Sequence, residues 1–358
     1  MLKTLVVVFL RGGADGLTLV PPVGDDDYHR ARPRLAVGAR EAIALDGAFG
    51  LHPKLAPLER LYRDGVLAVV PACGSEDDTR SHFEAQDLIE RGGTDVAGGW
   101  LGRWLRRGSA SSGGALAAVA FGTALPESLR GAPGATVVRT FEGLGLGADA
   151  GRLARELARL YEDDPLLAES ARDAEDALRR LASLRESDYR PEGGAVYGTD
   201  DFALALRRMA QLLKAGVGLE AACLDLPGWD THFVQDTAMD PLMLRLGSGL
   251  AAFCADLGPR LAETGIVVMT EFGRRVYENA SLGTDHGRGG VMFILGGGVR
   301  GGVHGRWPGL GESALEGPGD VAVAQNYRDV LAPVLSRHAG AFAPEKVFPG
   351  YALRPLAI

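Results

Sequence analysis

The main apolar runs of this chain are continuous rather than alternating. Leu5 to Leu10, Val66 to Pro71, Leu219 to Leu226, Gly265 to Met269 and Val291 to Leu295 are almost unbroken hydrophobic stretches bounded by turn residues. Such runs predict strands buried on both faces, as in a parallel sheet covered by helices. Ala115 to Phe121 and Ala135 to Thr140 predict two more strands. Between them apolar residues recur at helical spacing: Pro53 to Asp64 with Gly65 as stop, the segment after Ser81 to about Ile89, Trp100 to Arg107, Asp201 to Ala215, Met239 to Leu257 and Asn326 to His338. Strands and helices in alternation predict an α/β fold, a doubly wound, mostly parallel central sheet flanked by helices. From Arg152 to about Glu186 leucines at helical spacing sit among dense alternating charge. This predicts a helical insert, residues 148–198, within a single domain of residues 1–358.

In a doubly wound sheet, sites form beyond the carboxyl ends of the strands. Asp15 follows the first predicted strand, and Arg80 and Ser81 follow the second. Asp230 and His232 follow the strand ending at Leu226. Glu271, Arg274, Arg275, Asp285 and His286 share the stretch Thr270 to Gly290, which reads as a loop too long and polar for a simple hairpin. His304 lies in a glycine-rich turn after the last strand. Carboxylate oxygen and imidazole nitrogen are the donors that hold divalent cations. One Asp-His pair is no more than a solvated turn, but these residues together describe two carboxylate-rich metal positions with a hydroxyl nearby. Ser81 and Glu84 form a capping box, which puts Ser81 at a helix N-terminus. A hydroxyl there suits a nucleophile or an anion-facing group. The run Gly143 to Ala148 mimics a dinucleotide-binding glycine loop, but no βαβ partner follows it. His338 is accounted for as a helix C-terminal dipole partner.

Composition narrows the classes. The net charge of -8 argues against a nucleic-acid-binding surface. The 51 glycines, about twice the usual share, predict many turns and close backbone approaches. Three cysteines, Cys73, Cys223 and Cys254, show no metal or disulfide spacing and read as small core residues. No apolar run approaches the roughly 18 residues of a transmembrane helix. The N-terminal run lacks a cleavage site, so the sequence as it stands reads as cytoplasmic, and as exported or in the envelope if a leader precedes it.

The motifs FLRGGADGL at Phe9–Leu17, RSHFEAQD at Arg80–Asp87, GWLGRWL at Gly99–Leu105, GWDTH at Gly228–His232, TEFGRR at Thr270–Arg275 and GTDHG at Gly283–Gly287 resemble, nearly end to end, the family called domain of unknown function 1501. That family is a sulfatase-like branch of the alkaline phosphatase superfamily. The resemblance implies one or two divalent metal ions (zinc, calcium or manganese) and a Ser or Thr that attacks a phosphate or sulfate ester in line. It implies Asp15, Asp285 and His286 as ligands of one ion, Asp230, His232 and His304 as ligands of the other, and Ser81 as nucleophile. Arg80, Arg11 or Arg274 would contact the phosphate or sulfate, and Glu271 joins Ser81, Arg80 and Arg274 in the catalytic set. Two departures stand out. Asp230 and His232 are separated by one residue where three are usual, and no C/S-x-P-x-R motif for formylglycine occurs. The expected function is therefore metal-dependent hydrolysis of small-molecule or polymeric phosphate mono- or diesters. The alternatives are a sulfate-ester hydrolase without formylglycine, a phosphoryl-transferring mutase, and a non-catalytic protein that binds a partner through the helical insert.

Overall fold

A computed structural model describes residues 1–106, 114, 116–140, 189–338 and 342–358, with scattered positions between 156 and 184. The glycine run Gly143 to Ala148 and most of the expected helical insert lie outside the described residues. Nine strands among these residues form the central sheet. They are β1 (Thr4–Arg11), β4 (Leu67–Gly74), β5 (Ala118–Phe121), β6 (Ala135–Val138), β7 (Ala221–Pro227), β8 (Thr264–Met269), β11 (Gly290–Gly296), β12 (Gly302–Val303) and β15 (Gln325–Asn326). The order is β12-β4-β11-β8-β1-β7-β5-β6, with β15 also on β4. A hairpin of β2 (Ile43–Ala44) and β3 (Gly50–Leu51) and a small sheet of β9 (Arg274–Glu278), β10 (Thr284–His286), β13 (Leu315–Glu316) and β14 (Asp320–Val321) complete the strands.

Six of the pairings in the central sheet are parallel; β11 alone runs antiparallel, to both β4 and β8. The cause is the connection. The chain leaves β8 at its carboxyl end, turns through Thr270–Gly289 and re-enters the sheet from that end, so β11 must run back. That connection was expected to be a loop too long and polar for a simple hairpin. It in fact contains the antiparallel pair β9 and β10, whose strands are half-exposed and therefore carry no continuous apolar run.

The continuous apolar character of β1 is explained by its two faces. Val6, Val8 and Leu10 pack into one core with Phe202, Leu206 and Met209 of the helix Asp201–Ala215 and Leu246, Leu250 and Phe253 of the helix Gln235–Leu257. Leu5, Val7 and Phe9 enter a second core with Trp100 and Trp104 of Trp100–Leu105 and Val330, Leu331 and Val334 of Tyr327–Ser336. Each such side chain contributes about 1.5–3 kcal/mol of transfer free energy. The helix expected over Pro53–Asp64 is split into a 3-10 turn, Pro53–Leu58, and an α turn, Glu59–Arg63, because Pro57 has no N–H to donate. The three cysteines are buried and free. No helix among the described residues is long and apolar enough to cross a membrane.

Candidate metal centre

The carboxyl ends of β1, β7, β8 and the start of the helix His82–Arg91 meet at one place. Two glycines permit the approach. Gly12, just past β1, has φ +119, and a Cβ there would lie 2.5 Å from the backbone nitrogen of Asp230. A Cβ on Gly283 would lie 2.2 Å from the carbonyl carbon of His232, so only glycine lets the β9–β10 turn press against the segment after β7. Ser81 caps the helix His82–Arg91, its Oγ accepting from the N–H of Glu84 at 3.5 Å, as the capping box predicts. His82 is thereby fixed as the first helical residue, with its ring stacked on Phe272.

Three imidazoles converge on one carboxylate oxygen. The Nε2 atoms of His82, His232 and His286 lie 3.3, 3.0 and 3.2 Å from Oδ1 of Asp230, and those of His232 and His286 are 2.9 Å apart. Each ring is held from behind. His82 Nδ1 donates to Glu271 Oε1 at 2.8 Å, His286 Nδ1 donates to the carbonyl of Arg80 at 2.8 Å, and His232 Nδ1 faces Asp285 Oδ1 at 3.5 Å. An acceptor behind Nδ1 fixes the tautomer and turns Nε2 forward, which is the outer-shell arrangement of metal-ligating histidines. Glu271 is itself anchored by the N–H of Gly12 at 2.8 Å, Gln86 Nε2 at 2.9 Å and the hydroxyl of Thr270 at 2.9 Å.

The donor set fits a cation. A tetrahedral ion bound at roughly 2.0 Å by nitrogen and oxygen needs ligands about 3.3 Å apart; the Nε2 atoms of His82 and His286 lie 3.3 and 3.2 Å from Asp230 Oδ1, and the three donor atoms all lie within 4.8 Å of one another. His82 Nε2 is buried and makes no hydrogen bond; its position against Asp230 is close but not hydrogen-bonding in geometry. An unpaired buried donor or acceptor costs about 1–3 kcal/mol, a penalty that a bound cation would remove. Three carboxylates, Asp230, Glu271 and Asp285, stand here against two guanidiniums, Arg274 and Arg275, so with neutral imidazoles the centre has a negative surplus.

Environment pulls the ionisable groups apart. The hydrogen bond to Glu271 is the main influence on His82 and raises its pKa, whereas burial lowers that of His286. Burial pushes the Asp230 carboxyl up, but the hydrogen bond and charge of Arg274 outweigh it and hold it far below the usual carboxylate range. For Glu271 burial is likewise outweighed, here by His82 and Gln86.

Of the residues picked out in the sequence, Asp230, His232, His286, Glu271 and Arg274 are brought together, with Asp285 behind His232. Arg274 is wholly buried, and its donors go to the carbonyls of Gly12, Gly13, Trp229 and Thr284 and to Asp230. It braces the strand ends and leaves little to offer a substrate. Arg80 bonds Asp320 at 2.6 Å and the carbonyl of His286 at 2.8 Å, and Arg11 pairs with Glu90 and Asp225. The ligand grouping implied by the resemblance is not the one in the structure. Asp285 and His286 are not joined by Asp15, which is buried and bonded to Arg32 at 2.5 and 3.1 Å, Thr18 at 2.8 Å and Gln235 at 2.6 Å. His304 does not join Asp230 and His232; its Nε2 donates to the carbonyl of Arg300 at 2.6 Å. Among the described residues a single group of ligand atoms is gathered closely enough for a metal, His82, Asp230 and His286; His232 stands beside it, against Asp230 and His286. In the sequence His82 is masked by its neighbour, whose role as a cap accounts for the segment. The signal available was a histidine in the first helical turn beyond a predicted buried strand.

A family model described as "Protein of unknown function (DUF1501)" matches residues 147–346, a span that includes every member of the centre except His82. No curated protein sequence matches significantly. Similar solved structures include the zinc complex of the C-terminal periplasmic domain of EptC from Escherichia coli, with 9% identity, coverage of 83% of this chain and 73% of that one, and a TM-score of 0.39. A PsFucS1 sulfatase from Pseudoalteromonas sp. gives 12% identity, 85% and 64% coverage and a TM-score of 0.36. An alkaline phosphatase from the Antarctic bacterium TAB5 gives 10%, 85% and 95%, and 0.28.

Proposed function

This chain belongs to the DUF1501 family, and from that premise we propose that it is a metal-dependent hydrolase of phosphate esters. One observation carries the reading: three imidazoles, each anchored through Nδ1, turn Nε2 toward the same Asp230 oxygen. In this reading His82, Asp230 and His286 hold one divalent cation with His232 beside them, and imidazole nitrogen with one carboxylate suits zinc better than calcium. Bound there, the ion would polarise a phosphoryl oxygen and make an oxygen nucleophile easier to deprotonate.

The chain's own residues supply the remainder. Glu271 keeps the Nδ1 proton of His82 in place, and Arg274 fixes the Asp230 carboxylate. Among the described residues the Oγ of Ser81, next to His82, carries only the long bond from Glu84 and is the proposed nucleophile; it would displace the alcohol from phosphorus, and water would release the serine ester. Arg275 is part-exposed and pairs with Asp285 through Nη1 at 3.3 Å, while its Nε is buried near Asp320; its guanidinium stands beside the centre, where its exposed edge would meet a phosphoryl oxygen. Phosphate is preferred over sulfate because no formylglycine motif is present.

The test begins with elemental mass spectrometry of the purified protein. About one equivalent of zinc in the wild type, lost in His82→Ala, supports the centre. Turnover across a phosphate-ester panel that vanishes in Ser81→Ala while the ion stays would support the nucleophile. Zinc retained in His82→Ala would remove that residue from the centre. No turnover on any ester would leave a binding protein.

A further inference from the structure

Two of the most exposed large apolar side chains in the described residues directly follow histidines of the centre. Phe83 is 86% exposed and comes next after His82; Phe233 is 70% exposed and comes next after His232. Exposed apolar side chains need no explanation singly, but grouped beside a polar site they mark contact surface. Neither exposure is the by-product of a loose segment. Phe83 is the second residue of a capped helix, so a turn of about 100° separates its direction from that of His82. Phe233 is held by its surroundings: the N–H groups of Val234 and Gln235 donate to the carbonyls of Ser281 at 2.9 Å and Leu282 at 2.8 Å. Val234 is β-branched yet has φ +43, and Leu282 opposite has φ +59. Left-handed backbone at such residues is disfavoured and persists only where the surroundings impose it. The fold thus accepts strain on both sides of this contact and leaves a phenyl ring outside, with its centroid 6.5 Å from that of His232.

We propose that Phe83 and Phe233 form an apolar rim that receives the uncharged organic part of the substrate, so that the centre selects esters of aryl or other hydrophobic alcohols over those of small or polyhydroxylated ones. This rests on the phosphate-ester reading of the metal centre. The rim acts by removing apolar surface of the leaving group from water, while the cation site and Arg275 take the anionic head common to all such esters.

The test uses two non-hydrolysable anions that share a head group, phenylphosphonate and methylphosphonate, titrated calorimetrically into the zinc-loaded full chain. The wild type should bind phenylphosphonate at least about 10-fold more tightly. In Phe83→Ser/Phe233→Ser that preference should fall to within about 2-fold, with methylphosphonate affinity, zinc content and melting temperature unchanged. The single variants show which ring carries the effect. Equal affinity for both ligands in the wild type, or a preference that survives the double substitution, overturns the rim and leaves the phosphate-ester reading intact. Failure of both phosphonates to bind overturns that reading and the rim with it.

Discussion

Two aspartate–arginine pairs lie within the same end of the sheet and have opposite characters. Asp15 with Arg32 is closed: both side chains are buried, and the carboxylate accepts from Arg32, Thr18, Gln235 and the N–H of Leu17. Arg32 spends its remaining donors on the carbonyls of Val276 and Arg275. Asp230 with Arg274 is open: the arginine is equally buried, but the aspartate side chain is 47% exposed and one of its oxygens is crowded by three imidazoles. The first pair uses charge to satisfy a buried network. The second uses a buried charge to aim a carboxylate at something outside the protein. Residue type does not separate structural from functional carboxylates here; the completeness of their hydrogen bonding does.

Removing a partner from each pair should break the comparison in opposite ways. Asp15→Ala leaves Arg32 charged and buried without its partner, and should cost about 3–5 kcal/mol in urea unfolding, with zinc bound normally by whatever fraction folds. A loss of under about 1 kcal/mol would show that the network is not closed. Glu271→Gln, close to isosteric, should weaken zinc about 10–100-fold in a competition titration, since it weakens the acceptor that holds His82 Nδ1. Unchanged affinity would remove the orienting role. Ser81→Ala should cost about 1 kcal/mol of stability through the lost cap, a change visible in melting temperature and separate from any loss of turnover.

pH sharpens the contrast further. Burial raises the Asp15 carboxyl, but the charge of Arg32 outweighs it, and the net shift is downward. A depressed folded-state pKa means a contribution that is complete above the ordinary value of 3.8 and is lost as pH falls through the depressed one. Acid unfolding curves should therefore slope less in Asp15→Asn than in the wild type below about pH 4. Parallel curves would rule the pair out as a source of the acid limb.

The fold was legible because burial on both faces of a sheet writes itself as continuous apolar runs; Leu5–Leu10 feeding two cores is the clearest case. The pair β9 and β10 was not legible, because half-exposed strands of five and three residues leave too short a pattern. The centre was half legible. Asp230, His232 and His286 could be named from strand-end placement, but their grouping depends on β8, β1 and β7 being adjacent, which is a property of sheet order. Asp15 looks like a ligand until Arg32 is seen beside it, and that arginine lies in no motif. His82 was hidden behind the stronger local signal of Ser81 as a cap.

The convergence of these side chains has a consequence for how the chain behaves as a polymer. His82 and its supporting Glu271 are 189 residues apart, and Asp230 and His286 are 56 apart. An ion held by His82, Asp230 and His286 would tie these distant segments together, closing the 56-residue loop between the last two among others, and act as a removable cross-link, with loop-closure entropy as part of its effect. Its stabilising power would also follow mass action, adding about 2.7 kcal/mol at a free-ion concentration 100 times the dissociation constant. Protein refolded with a chelator and protein refolded with zinc would then differ in resistance to protease as well as in activity, and the ion would report on the assembly of the whole sheet end.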